Sequence, residues 1–207
     1  PVNRLLCVAF VPCLCAGAAP APVTLTVKGA PGFTIPKDFS GVSFETWSEL
    51  PDHNKVPGHL FSADNKQLIR LFINTGIGNL RLGGGTVDTL HASHPSRADI
   101  DGVFGFAKAA HVKVIYSLQL LDGNPERDAA DAEYIWTHYH ALLNYFAIGN
   151  EPNEPPYVRA PVNPITNYDS YLAAWRKFAA AITKAVPEAK FVGPDSGGWA
   201  WVDRFAV

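Results

Sequence analysis

The chain has 207 residues, 47% of them apolar and 17% charged, with a formal net charge of −2. This is an ordinary globular composition, long enough to bury a sizeable core. No block of like charges occurs, so the basic stripe of a nucleic-acid binder is missing and the balance points to a neutral or small partner.

The chain opens on Arg4, the apolar run Leu5–Cys15 and the small residues Ala16-Gly17-Ala18-Ala19. Charged, apolar and small-residue regions in that order predict a secretory signal peptide over residues 1–19, hence a secreted protein. The apolar run is far short of the ~20 residues that span a bilayer, so no membrane anchor is expected. All three cysteines, Cys7, Cys13 and Cys15, fall inside this segment, which leaves no thiol nucleophile or thiolate metal site after cleavage. There is no Met, so Pro1 is not expected to be a natural start.

A Pro/Ala hinge leads into Val23–Val27, whose alternation predicts a strand, and residues 20–38 form a linker before the main domain, 39–207. Phe39–Phe44 then reads as a short strand ending at Glu45. Ser62 is the expected cap of a helix over 63–75, with Leu68, Leu71, Phe72 and Thr75 on one face and Gly76 as its stop. Asn79–Leu82 is the next strand, followed by the turn Gly83-Gly84-Gly85. A helix over 100–110 uses Ile100, Val103, Phe104, Ala107 and Ala110. Val112–Leu118 is a β run, 127–143 a helix and Tyr145–Gly149 a short buried strand. Residues 168–186 give the best helical periodicity, through Leu172, Trp175, Ala179, Ile182 and Val186, with Pro187 beyond. Lys190–Gly193 is a fifth strand, and a last helix begins near Trp199.

Five strands alternating with helices predict a parallel α/β sheet, either doubly wound or closed as a barrel. A doubly wound sheet calls for a glycine-rich phosphate turn after its first strand, and Glu45–Leu60 has none. The strands instead end in polar residues: Glu45, Arg81, Gln119, Asn150-Glu151 and Asp195. Convergence of strand ends on one site is the habit of the (β/α)8 TIM barrel. The expectation is such a barrel, truncated after about five units.

The chemistry centres on Ile148-Gly149-Asn150-Glu151-Pro152-Asn153. Cleavage of a glycosidic bond needs a carboxylic acid beside the leaving oxygen and a second carboxylate opposite it. Glu151 at a strand terminus suits the first role, and the Asn150 amide suits a hydroxyl of the sugar. The bland alternative is a solvated turn, since Asn, Pro and Glu are common turn residues.

Gly149-Asn150-Glu151-Pro152-Asn153 resembles the acid/base signature of clan A glycosidases. Together with Gly41-Val42-Ser43-Phe44-Glu45-Thr46 and Leu80-Arg81-Leu82-Gly83-Gly84-Gly85-Thr86, it resembles glycoside hydrolase family 79, the β-glucuronidases and heparanase-like enzymes. The resemblance runs from about residue 39 to the end. It implies a retaining hydrolase acting on a glycan or glycoside, with Glu151 as acid and then base. It also implies a nucleophilic glutamate after a seventh strand, which this sequence does not contain. Val23–Val27 would belong to a β-sandwich domain that follows the barrel in the family. The alternatives are another clan A activity, arabinofuranosidase or β-xylosidase-like, or a non-catalytic fragment.

Further candidates surround this motif. Glu45 and Asp88 are candidates for the sugar pocket, against a structural hydrogen bond for Glu45 and a helix cap for Asp88. Arg81 would orient the nucleophile or meet a sugar carboxylate, against a structural pairing. Gln119 lies at the mouth of the third strand. Tyr157, Trp47, Trp199 and Trp201 are candidates for stacking on sugar, although most aromatics are core. Glu154 and Asp195 read as loop residues. His53 with His59, His91 with His94, and His138 with His140 lack the i, i+4 spacing of a helical zinc site, so no metal or cofactor is expected. No G-x-S-x-G elbow is present to support a serine hydrolase.

Overall fold

The computed structural model describes residues 24–26, 29, 32–55, 57–88, 94–160 and 164–205. The expected signal segment, 1–19, lies outside them. The chain divides into two units, Pro1–Thr34 and Ile35–Val207. In the first, the described residues 24–26 carry no strand, and Val23 and Val27 lie outside the description. No described helix is long and apolar enough to cross a membrane.

The second unit holds one parallel sheet with strand order β1-β2-β3-β4-β5. Its strands are β1 (Gly41–Glu45), β2 (Asn79–Gly83), β3 (Lys113–Leu118), β4 (Leu143–Ile148) and β5 (Phe191–Val192). The helices are α1 (Lys66–Thr75), α2 (Arg97–Ala110), α3 (Pro125–Tyr139), α4 (Pro155–Val158), α5 (Tyr168–Ala185) and α6 (Val202–Phe205). Short 3₁₀ turns follow β1, over Thr46–Glu49, and β2, over Gly85–Asp88. Consecutive strands pair in chain order, and every pair is parallel. All five strands therefore end at the same edge. This arrangement fits the first part of a (β/α) barrel.

Alternation decides which side chains meet the helices. On β2, Leu80 and Leu82 are fully buried, whereas Arg81 points to the other face and stays part-exposed. The core packs the helix-facing rows against α1, α2, α3 and α5. Phe61 contacts Phe44 and Phe106 edge-on at 5.1 and 5.2 Å, and Phe106 meets Phe72 at 5.0 Å. Such pairs contribute about 0.5–1.5 kcal/mol each beyond area burial.

The helix periodicity was legible, but the ends shift. α1 starts three residues later than the pattern predicts, because Asn65 and not Ser62 is its cap. The Asn65 side chain accepts from the Leu68 amide at 3.2 Å, while the Ser62 hydroxyl accepts from Asp64 at 3.1 Å in the preceding turn. Ile69 and Phe72 are the buried pair of α1, and Leu71 is exposed. α2 starts at Arg97 because Ser96 and Asp99 close a capping box that satisfies both orphan amides. α3 starts at Pro125 behind the Asn124 cap and stops at Tyr139, four residues short of the predicted end.

Candidate active site

The site grows from the carboxyl edge of the sheet. Ser43 and Arg81 are register partners on adjacent strands, so their side chains share a face. From there the Arg81 guanidinium reaches three ways. One Nη donates to Ser43 Oγ at 3.1 Å, and the other donates to Asn150 Oδ1 and Asp195 Oδ2, both at 3.0 Å. One cation thus ties β1, β2 and the segments after β4 and β5. Arg81 is paired within the protein, and the orientation it fixes is that of the Asn150 amide.

Glu151 follows directly. The chain leaves β4 through Gly149, at φ 81°, then places Glu151 itself at φ 50°. Positive φ is uncommon for a side chain such as glutamate and occurs where surrounding bonds over-determine the backbone. Those bonds are present: the Glu151 amide donates to Asp195 O at 2.7 Å, and Glu151 O accepts from the Glu154 amide at 2.9 Å. The loop after β4 is further clamped to the loop after β5, where the Asn153 amide group exchanges two bonds with Gly197, at 2.7 and 3.1 Å. The backbone is held on all sides, yet the Glu151 carboxylate is exposed and has no hydrogen-bond partner among the described residues. It faces a pocket of about 330 Å³ shared with Asp88, Leu121, Asn150, Glu154 and Tyr157.

Asp88 is buried, at 5% exposure. Its Oδ1 accepts from the amides of Leu120 and Leu121 at 2.7 and 2.8 Å, and its Oδ2 accepts from the Asn150 amide at 2.8 Å and from the Tyr157 hydroxyl. Burial pushes this carboxyl up to about 6, against the downward pull of Tyr157 and the three amides. Asp88 ends the 3₁₀ turn, and its carboxylate joins the loops after β2, β3 and β4. Tyr157 is 2% exposed, so its ring is not offered to a sugar face. Burial, then the neighbouring Asp88 charge, hold its phenol protonated far above its ordinary range.

Glu45 is exposed at the end of β1. Its Oε2 accepts from both the Thr86 amide and hydroxyl at 2.8 Å. The glycine turn makes room for it: Gly84 sits at φ 71°, and a Cβ there would lie 2.4–2.6 Å from the Glu45 carboxylate. Gln119 has its amide engaged on both sides, donating to Leu121 O at 2.9 Å and accepting from Arg127 at 2.8 Å. Trp47 is half exposed and stacks on His53 at 5.7 Å. Trp201 stacks on Tyr171 at 5.0 Å inside the protein, and Trp199 is 85% exposed.

Two residues read as loop positions belong here. Asp195 supplies both the carboxylate for Arg81 and the carbonyl for Glu151, and Glu154 lines the Glu151 pocket. The only sequence signal for Asp195 was its place at a strand end. The histidines pair elsewhere: His59 Nε2 with Asp99 and His94 Nε2 with Asp131, each at 2.6 Å. Among the described residues no group of three His, Cys, Asp or Glu side chains is arranged to hold a metal ion.

No protein-family model and no curated protein matches the chain. Solved structures do. One is the GH39 enzyme from Xanthomonas axonopodis pv. citri, with a TM-score of 0.51, 16% identity, and coverage of 80% of this chain and 36% of that one. Another is AbfB, a family 51 α-L-arabinofuranosidase from Bifidobacterium longum, with a TM-score of 0.49, 16% identity, and coverage of 76% and 38%. The first establishes that the five-stranded parallel arrangement is a fold shared with a glycoside hydrolase. The chain spans little more than a third of the length of either structure.

Proposed function

We propose that this chain is the acid/base half of a secreted retaining glycoside hydrolase of clan A, with Glu151 as the proton donor. The observation that carries the reading is the contrast at Glu151. Its backbone is fixed by Asp195, Glu154 and the Arg81 network, yet its carboxylate is unpartnered among the described residues and lines a pocket. A carboxylic acid held in place beside an amide that can bond a sugar hydroxyl is what protonation of a departing glycosidic oxygen requires. The fold shared with the GH39 enzyme supports the same class, since strand ends build the site in such barrels.

The remaining chemistry belongs to a longer protein. A nucleophilic glutamate on a later strand would stand ~5–5.5 Å from Glu151, form the glycosyl-enzyme, and be released by water that Glu151 deprotonates. The resemblance of Gly41–Thr46, Leu80–Thr86 and Gly149–Asn153 to family 79 favours a terminal β-linked glucuronate as substrate. The fold similarity to family 39 is equally compatible with a neutral glycone in the same site.

The test uses the full-length gene product carrying this sequence, assayed on aryl β-glucuronide, β-xyloside and α-arabinofuranoside. The expected result is turnover of the glucuronide that falls by at least about 10²-fold in Glu151→Gln, the scale of a general acid. Turnover of only the neutral glycosides would retain the class and reject glucuronate. Inertness on all three would reject the glycosidase reading.

A further inference from the structure

We propose that Asp88, together with Tyr157, is a positioning residue that holds the Gly149–Asn150 peptide, directly before Glu151, and thereby sets both the aim and the acid limit of the proton donor. The proposal rests on the reading of Glu151 as acid/base. A carboxylate has about four lone-pair sites, and Asp88 fills them with four protein donors: the amides of Leu120, Leu121 and Asn150, and the Tyr157 hydroxyl. None is left for a sugar hydroxyl, so its contribution acts through the residues it grips. The Asn150 amide is gripped twice, by Asp88 Oδ2 at 2.8 Å and by the Tyr157 oxygen at 3.2 Å. The next residue is Glu151. A shift at that peptide moves the acid directly, and a misplacement of ~1 Å is enough to cost 10²-fold in rate.

The same arrangement is sensitive to protonation. A proton on Asp88 converts one acceptor site into a donor that faces donors, which loosens the hold on Asn150. Burial already places this carboxyl at about 6, and Tyr157 and the amides keep it from rising further. The buried Asp128 faces it as a like charge, itself paired with Arg127, while Glu151 and Glu154 share the adjoining pocket. Above its titration Asp88 is the four-bond acceptor seen here, and below it the grip is lost.

The experiment measures kcat/KM of the full-length enzyme on phenyl and dinitrophenyl glycosides of its preferred sugar, across pH, for wild type, Asp88→Asn, Tyr157→Phe and Glu151→Gln. Dinitrophenolate leaves without a proton, so a misaimed acid hurts only the phenyl substrate. Asp88→Asn is expected to lose about 10²-fold on the phenyl glycoside and less than about 3-fold on the dinitrophenyl one. Tyr157→Phe removes a donor that lowers the Asp88 carboxyl, so the acid limb is expected to move to higher pH. Equal losses on both substrates with an unmoved limb would make the pair merely structural and overturn the proposal. A Glu151→Gln variant without leaving-group dependence would instead overturn the acid/base reading. Amide NMR gives a readout free of turnover: the Asn150 resonance should titrate near pH 6 in wild type and not in Asp88→Asn. An Asn150 amide that is flat through that range contradicts the proposal.

Discussion

Arg81 joins three other segments of the chain through one side chain. Its planar fork meets Ser43, Asn150 and Asp195 at 3.0–3.1 Å. A lysine keeps the charge but presents a single ammonium, so it cannot hold all three partners in that geometry. Arg81→Lys is expected to keep the protein folded and to lower kcat/KM by about 10–10²-fold through a misoriented Asn150 amide. Steady-state kinetics beside a thermal melt checks this; full activity in the variant would show that the fork is not needed. Glu151 was legible because Asn-Glu at a strand terminus is a local pattern. The partner of Arg81 was not, because Asp195 lies 114 residues away and only the sheet order brings them together. Asp88 was visible as a candidate, but its burial was not, since burial depends on α4 folding Tyr157 over it.

At the scale of elements, caps and aromatic contacts do the placing. The capping box of Ser96 and Asp99 fixes the start of α2, and Asp99 also receives His59 at 2.6 Å. Burial would raise the Asp99 carboxyl, but hydrogen bonds from Ser96 and His59 outweigh it and hold the group below its ordinary value. Ser96→Ala is expected to destabilise by about 1 kcal/mol, the usual loss of a good N-cap. Phe106→Ala, which empties the site between Phe61 and Phe72, should destabilise by about 3–5 kcal/mol. Urea titrations of both variants test the ranking, and a Ser96→Ala loss equal to or above that of Phe106→Ala would contradict it. The starts of β2 and α5 were readable from the sequence, whereas those of α1, α2 and α3, and the short helix α4, were not. The stretch Ser62–Asn65 offers several polar residues able to cap, and tertiary contacts choose among them. The same holds for the α1 face, where Ile69 rather than Leu71 turns inward against the Phe72 side.

At the scale of the molecule, three of the buried acids among the described residues dominate the dependence of stability on pH. Burial pushes Glu49 up to about 8, Asp128 to about 7 and Asp88 to about 6. Glu49 accepts from the Tyr116 hydroxyl at 3.0 Å, and the charges of Asp99 and Asp131 repel its ionised form. Each folded value lies above the unfolded one, so the folded state binds more protons near neutrality. The stabilisation from these groups is complete below about 4 and is lost as pH rises through 6, 7 and 8. At this chain length a change of ~1 kcal/mol moves Tm by about 2–4 °C. Melts should therefore show Tm at pH 5 on the order of 5 °C or more above Tm at pH 8.5. A Tm that climbs with pH over that range would contradict the burial of these carboxyls. The parallel α/β class was legible from alternating strand and helix periods, and the fold shared with the GH39 enzyme agrees with it. The identity of the sugar was not, because it depends on groups that strand order and neighbouring loops assemble. The role of Glu151 is tested most directly by the ratio of kcat/KM on dinitrophenyl and phenyl glycosides in the full-length protein. Glu151→Gln should raise that ratio by at least about 10²-fold over wild type, because only the phenolate needs a proton from the enzyme. An unchanged ratio would show that Glu151 is not the acid.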